Sequence, residues 1–128
     1  MQKLISAAIS ARKNSHSPYS GYSVGAAIQT DDGEIFTGCN IENASYGATM
    51  CAERTAVFTA IAQGHKKFTA IAIVGGKGKE ADMPYPCGMC RQVLSEFCDK
   101  DFKIIVARSE TDYEEYTLGE LLPHSFLL

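Results

Sequence analysis

The sequence predicts an α/β fold in which a mixed sheet of about five strands is sandwiched between helices in three α-β-α layers. Apolar residues recur at helical spacing near the N-terminus, and two strand-like runs then flank residues 31–33, which have hairpin-turn composition. Strand-like and helix-like segments alternate through the rest of the chain, as in layered α/β proteins. Since 128 residues suit one domain, we expect a single domain over 1–128.

The pattern predicts each element in turn. In chain order these are a helix over 2–13, strands over 24–30 and 35–39, a helix over 51–62, a strand over 69–74, a helix over 88–98, a strand over 104–107, a weak strand near 112–116 and a short helix that begins at Thr117. The segments 40–49 and 75–86 are predicted loops. Thr117 and Glu120 form a capping-box pattern. The uninterrupted apolar strands 69–74 and 104–107 indicate a sheet that is covered on both faces.

Composition excludes several classes of function. The formal net charge is −3 and the few basic clusters lie among turn residues, which disfavours a protein that neutralises many nucleic-acid phosphates. No apolar run approaches the roughly 18 residues that a membrane-spanning helix needs. The N-terminal segment lacks a cleavage-site pattern, so we expect a cytoplasmic protein. An odd count of five cysteines favours metal or catalytic chemistry over a disulfide framework.

The cysteine spacing points to a metal site. Cys87 and Cys90 form a CxxC pair, which alone fits a zinc half-site, a redox dithiol or half of a structural finger. Cys51 begins the preceding predicted helix and supplies a third thiolate. A catalytic zinc site uses three protein ligands and leaves a position for water, whereas a structural site uses four. Cys39 and Cys98 are interpreted as small buried hydrophobic residues, and no histidine has ligand spacing.

Two charged residues follow Cys51. Glu53 can act as the general base that takes a proton from zinc-activated water and returns it to the reacting base. An acidic residue is also favoured in any first helical turn, but the CAE and PCGMC motifs together argue for catalysis. Arg54 can donate to the thiolate sulfurs and withdraw charge from the metal site. It can equally be a surface helix residue, and the sequence leaves both readings open.

These motifs resemble a known family. A Cys-x-Glu motif followed by Pro-Cys-x-x-Cys is the signature of zinc nucleobase deaminases. The chain further resembles the small three-cysteine cytidine deaminases almost from end to end. The matching stretches are PYSGYSVGAAI at 18–28, GCNIENASYG at 38–47, CAERTA at 51–56, PCGMCRQVLSE at 86–96 and ELLPHSF at 120–126.

The resemblance implies a homotetramer with shared active sites and one zinc ion per chain. It implies hydrolytic deamination of free cytidine and deoxycytidine in pyrimidine salvage. Asn40 and Glu42 would hydrogen-bond the ribose 3′-hydroxyl, the Ala52 N–H would donate to the pyrimidine O2, and the Pro86 carbonyl would accept from the amino group. Phe126 would reach the base in a neighbouring subunit.

One position departs from the family pattern. Tyr22 lies where many relatives have Phe, at a position that lines the nucleoside pocket in the family. Tyrosine keeps the ring but adds a hydroxyl that needs a partner or water.

The sequence is also compatible, to different degrees, with three rival functions. A deaminase of RNA or DNA would need a basic strand-binding face, which this acidic chain lacks. A deaminase of another small nucleoside, such as a blasticidin-type antibiotic, is the nearest enzymatic rival, although the NIEN motif favours cytidine. A non-enzymatic zinc module explains the cysteines but leaves Glu53 without a role.

Overall fold

A computed structural model describes residues 1–128 and confirms the predicted α/β class. The helices and strands, in chain order, are α1 (Gln2–Arg12), β1 (Tyr22–Thr30), β2 (Ile35–Cys39), α2 (Ala52–Ala62), β3 (Phe68–Lys77), α3 (Gly88–Phe97), β4 (Lys103–Ala107), β5 (Tyr113–Thr117) and α4 (Leu118–Leu121). A single 3₁₀ turn, Tyr46–Ala48, interrupts the predicted loop between β2 and α2. No helix combines the length and hydrophobicity that a membrane span requires.

The five strands form one mixed sheet in the order β2-β1-β3-β4-β5. β3 and β4 are parallel, and the other three pairs are antiparallel. Side chains alternate between the two faces. On one face, residues such as Ile71 and Ile104 pack against α2 and α3, and on the other Ala72 and Ile105 pack against α1. The predicted three-layer sandwich is therefore confirmed.

Two glycines let the helices approach the sheet closely. A Cβ on Gly38 in β2 would lie 2.4 Å from the backbone nitrogen of Ala56 in α2. A Cβ on Gly25 in β1 would lie 2.1 Å from the carbonyl oxygen of Ala8 in α1. No side chain fits at either point, so these two positions set how α1 and α2 lie on the sheet.

The prediction of a loop over 75–86 was wrong at its start. β3 continues through Lys77, and Gly75 and Gly76 pair with Val24 and Ser23 of β1. Glycine is a poor strand former, so the sequence pattern ended the strand too early. In the fold Gly76 is required, because a Cβ there would lie 2.2 Å from the carbonyl oxygen of Glu80.

The C-terminal elements follow the sequence pattern. The Thr117 side chain accepts from the backbone N–H of Glu120, and the Glu120 side chain accepts from the backbone N–H of Thr117. This capping box starts α4, whose Leu118 is buried in the core. The chain then runs along the surface to Leu128.

Candidate active site

Two helices begin side by side and bring three cysteines together. Cys51 is the N-cap of α2, Cys87 is the N-cap of α3, and Cys90 lies in the first turn of α3. The sulfur of Cys87 lies 3.9 Å from that of Cys51 and 3.5 Å from that of Cys90. Neither N-cap sulfur accepts a capping hydrogen bond from a backbone N–H of its own helix, so both remain free to face the shared space between the helix ends.

The three sulfurs fit a zinc ion. All lie within 4.8 Å of one another. Tetrahedral zinc with Zn–S bonds of about 2.3 Å separates its sulfur ligands by roughly 3.8 Å, close to the spacings found. Three thiolates also match the soft, sulfur-rich ligand sets that zinc accepts, and a three-ligand set leaves one position for water or substrate.

Arg54 lies beside these sulfurs. Its Nη2 donates to the sulfur of Cys51 at 3.3 Å, and its buried Nε has no hydrogen-bond partner. A hydrogen bond from the Cys90 thiol, aided by Arg54, lowers the pKa of Cys51 to about 5. The same contact and burial raise the pKa of Cys90. The guanidinium thus offsets negative charge at the cysteine cluster, as expected of a residue that tunes a thiolate site.

Glu53 is buried immediately beside the cluster. It is only 5% exposed, and burial raises the pKa of its carboxyl to about 7. A carboxyl with a pKa near neutrality can both accept and return a proton under physiological conditions. The position therefore has the properties of a general acid–base group.

A cavity of about 430 Å³ opens in front of Glu53 and Cys51. Its size is that of a small-molecule site. The predicted residues Tyr22, Asn40 and Ala52 line it. Sequence reasoning missed six further lining residues, which are Val24, Thr49, Met50, Met83, Pro84 and Tyr85. Two signals could have found some of them: Val24 shares a strand face with Tyr22, and 83–85 directly precede the PCGMC motif.

A protein-family model matches most of this chain, including the cysteine cluster and Glu53. Residues 1–106 match the model of the cytidine and deoxycytidylate deaminase zinc-binding region. The chain belongs to this family. The family model describes a zinc-binding region, and the group formed by Cys51, Cys87 and Cys90 can hold that metal.

Individual relatives of the deaminase family agree over most of the chain. The cytidine deaminase of Halalkalibacterium halodurans is 46% identical over 125 residues, which cover 98% of this chain and 92% of that protein. The crystal structure of cytidine deaminase from Burkholderia pseudomallei superposes with a TM-score of 0.88 at 44% identity and covers 97% of both chains. A blasticidin-S deaminase from Bacillus cereus is 35% identical over 105 residues, which cover 78% of this chain and 74% of that protein.

Asn40 lines the cavity, but most of its amide is already bonded. Its Oδ1 accepts from the backbone N–H of Val24 at 2.9 Å and from the hydroxyl of Ser15. Its Nδ2 donates to the Tyr22 carbonyl at 2.8 Å. One N–H of the amide remains for a ligand, and the other contacts fix β1 against the chain after β2.

Glu42 is not among the residues that line the cavity. Its carboxylate accepts from the backbone N–H groups of Tyr19 and Ser20 at 2.9 and 3.2 Å and from the Ser20 hydroxyl. The Ser20 hydroxyl is the main cause of a lowered pKa at Glu42. This carboxylate is therefore held as a fixed anionic acceptor.

The remaining predicted contacts lie at helix starts and in the tail. Ala52 is the first residue of α2, so its N–H belongs to the group that has no partner within the helix. The carbonyl of buried Pro86 accepts from Nε of Arg91 at 2.7 Å. Phe126 is 66% exposed and does not line the cavity of its own chain.

Proposed function

We propose that this chain is a zinc-dependent hydrolase that deaminates cytidine and deoxycytidine to uridine and deoxyuridine, with release of ammonia. All 128 residues would form one deaminase domain. The observation that carries the proposal is the juxtaposition of buried Glu53 with three converging cysteine sulfurs at the wall of a cavity of nucleoside size. A metal site that only stabilises a fold needs neither the cavity nor the buried carboxyl.

Cys51, Cys87 and Cys90 would hold one zinc ion per chain. When bound, zinc supplies Lewis-acid activation of water, which makes that water a nucleophile near neutral pH. Arg54 would keep the three thiolates from cancelling this activation, because its guanidinium shares their charge.

Glu53 moves the protons in this proposal. Its carboxylate takes a proton from the attacking water and delivers it to N3 of the cytosine ring, which makes C4 electrophilic. The water oxygen then forms a bond to C4. Glu53 carries the second water proton to the amino group, the C4–N bond breaks, and ammonia leaves. The sum is one water consumed, one ammonia released and Glu53 restored.

The other predicted site residues would orient the nucleoside. We assign the ribose 3′-hydroxyl to Glu42 and to the spare N–H of Asn40. The Ala52 N–H would donate to O2, and the Pro86 carbonyl would accept from the amino group with its second lone pair. Tyr22 would pack its ring along the nucleoside from β1.

The assembly and setting are also part of the proposal. Phe126, Leu127 and Leu128 are all highly exposed, which suits a tail that docks on another subunit. We propose a homotetramer in which Phe126 completes a neighbour's site, as the family resemblance implies. A role in pyrimidine salvage in the cytoplasm fits this chemistry, because a reducing compartment keeps the cysteines free for zinc.

One alternative substrate has support of its own. The match to a blasticidin-S deaminase extends over 78% of the chain, so a related cytosine nucleoside is a second candidate. The higher identity and coverage of the cytidine deaminase relative favour cytidine.

A substrate panel tests the proposal. Zinc-loaded protein is offered cytidine, deoxycytidine, CMP, single-stranded DNA and blasticidin S, and the fall in ultraviolet absorbance is followed. We expect turnover of the two free nucleosides. CMP should be a poor substrate because no lysine or arginine lines the cavity to balance a phosphate. Faster turnover of blasticidin S than of cytidine would make that antibiotic the assigned substrate. Absence of cytidine turnover by protein that holds one zinc ion per chain would refute the proposed cytidine deaminase activity.

A further inference from the structure

Arg91 connects the metal-binding loop to the end of the chain. It lies one residue after Cys90, and its half-buried side chain runs back toward the start of α3. Its Nε donates to the Pro86 carbonyl and its Nη1 donates to the Leu121 carbonyl, both at 2.7 Å. Two short bonds from one planar guanidinium fix these carbonyls relative to each other.

The Pro86 contact bears directly on the metal ligand that follows it. The carbonyl of Pro86 and the backbone nitrogen of Cys87 belong to one rigid peptide plane. The Pro86 ring is fully buried and fixes its own φ angle, so the torsion left free on that side of the plane is the ψ angle of Pro86. The bond from Arg91 to the carbonyl restrains that ψ angle. The start of the Cys87 side chain is thereby held in place, although Cys87 itself is exposed.

The Leu121 contact secures the other end of the connection. Leu121 ends α4, so its carbonyl has no acceptor role within the helix and needs an outside donor. Nε2 of the neighbouring Gln92 donates to the Phe126 carbonyl at 3.3 Å. Adjacent residues of α3 therefore hold both the beginning and the end of the segment 121–126.

We propose that Arg91 is a positioning residue that locks the Pro86–Cys87 peptide and couples the placement of Cys87 to the C-terminal segment. The inference rests on the proposed zinc site and adds a residue that touches neither the metal nor the nucleoside. Its consequence is that release of the Arg91 contacts loosens the ligand set itself. A purely structural bond would lower stability without altering the metal site.

Cobalt-substituted protein provides the test, because absorption from thiolate-to-cobalt charge transfer reports ligand geometry directly. We compare Arg91→Met, which keeps an apolar stem, with Arg91→Lys, which keeps one cationic donor. Ile105→Ala is the matched control for lost stability, since Ile105 is buried on the α1 face of the sheet, away from α3. Release of zinc to a chelator is measured on the same proteins, well below their unfolding temperatures.

The proposal predicts an altered cobalt spectrum and about 10-fold faster zinc release in Arg91→Met. Arg91→Lys should recover part of the wild-type cobalt spectrum and part of the wild-type zinc release rate. Ile105→Ala should match the wild type in spectrum and in release rate. On cytidine, Arg91→Met should lower kcat more than it changes KM. A wild-type spectrum and release rate in a folded Arg91→Met protein would overturn the proposal. If Arg91→Met does not fold, a wild-type cobalt spectrum and zinc release rate in Arg91→Lys would overturn the proposal equally.

The wild-type protein separates this inference from the proposed function. If it holds zinc but leaves cytidine unconverted, the deaminase assignment fails while the cobalt spectra still decide the role of Arg91. If it converts cytidine and the Arg91 variants keep wild-type spectra, only the positioning role fails.

Discussion

The metal side of the cavity and the β1–β2 side, where Glu42 lies outside the lining residues, hold glutamate in opposite environments. On the metal side, Glu53 is buried at the start of α2, and burial raises its pKa to about 7. On the β1–β2 side, Glu42 accepts two backbone N–H groups and one hydroxyl, and its pKa is lowered. The first environment favours the neutral carboxyl, and the second favours the anion.

This difference assigns a separate task to each carboxyl. A group that changes charge near neutral pH can transfer a proton within a reaction cycle. A group that remains anionic and already holds several donors serves better as a fixed acceptor for a ligand hydroxyl. Neither task follows from the residue type, and both follow from burial and hydrogen bonding. Substitutions on the two sides should therefore affect different kinetic constants.

The largest effect is expected on the metal side at Glu53. Glu53→Gln keeps the shape of the side chain but cannot carry a proton, so kcat on cytidine should fall by at least about 10²–10⁴-fold. Zinc content should remain one ion per chain, because Glu53 is not in the group of cysteine ligands. Steady-state kinetics and metal analysis on the same sample check this. Near-normal turnover would place proton transfer on another residue.

Arg54→Met, also on the metal side, should cause the next largest loss of activity. Removal of the guanidinium leaves the thiolates more negative, so zinc activates water less strongly. We expect about a tenfold loss of activity at neutral pH. The rising limb of the pH–rate profile should move to higher pH, since the activated water loses its proton less readily. An unchanged pH–rate profile together with unchanged zinc affinity would show that Arg54 has no role in tuning the metal site.

On the β1–β2 side, Glu42→Gln should mainly raise KM. Loss of the charge weakens the acceptor for the ribose 3′-hydroxyl, and we expect KM for cytidine to rise about tenfold with kcat nearly unchanged. 3′-Deoxycytidine is the matched control substrate, because it lacks the contacted group. The variant and the wild type should handle that substrate alike. A fall in kcat with KM preserved would contradict the assignment of Glu42 to binding.

Tyr22→Phe should have the smallest effect. It keeps the ring that lines the cavity and removes only the hydroxyl. Removal of one hydroxyl at a half-buried position should change kcat/KM for cytidine by less than about threefold. Tyr22→Ala, which removes the ring, is the companion variant and should raise KM more. If Tyr22→Phe is as damaging as Tyr22→Ala, the hydroxyl itself contacts the substrate.

The sequence predicted the metal side better than the β1–β2 side. The key residues of the metal side lie at helix starts, where the local sequence pattern indicates both the residue type and its position in the fold. These residues are Cys51, Glu53, Cys87 and Cys90. The contact between Arg54 and Cys51 spans only three residues, so the spacing in the sequence allows it but does not distinguish it from a surface position. Local chemistry also predicted the capping box at Thr117.

Long-range contacts set the limit of sequence prediction. The bonds from the Asn40 side chain to Val24 and Tyr22 join separate segments, so no local pattern shows that the amide is largely occupied. No local pattern shows the 2.8 Å contact between His65 and Glu34, because it depends on how the end of α2 lies on the β1–β2 hairpin. The extension of β3 was missed for a similar reason, since pairing with β1 overrides the weak strand preference of Gly75 and Gly76.

A pH titration of the two glutamates tests the central contrast most directly. Metal-free protein labelled with ¹³C at the glutamate carboxyls is followed by NMR, and Glu53→Gln and Glu42→Gln assign the two signals. We predict that Glu53 titrates near pH 7 and Glu42 below the ordinary glutamate value of 4.5. The pKa of Glu53 is raised because burial favours its protonated form. The pKa of Glu42 is lowered because the hydrogen bonds donated to it favour its anion. Titration of both carboxyls near 4.5 would contradict the division of roles between the two sides.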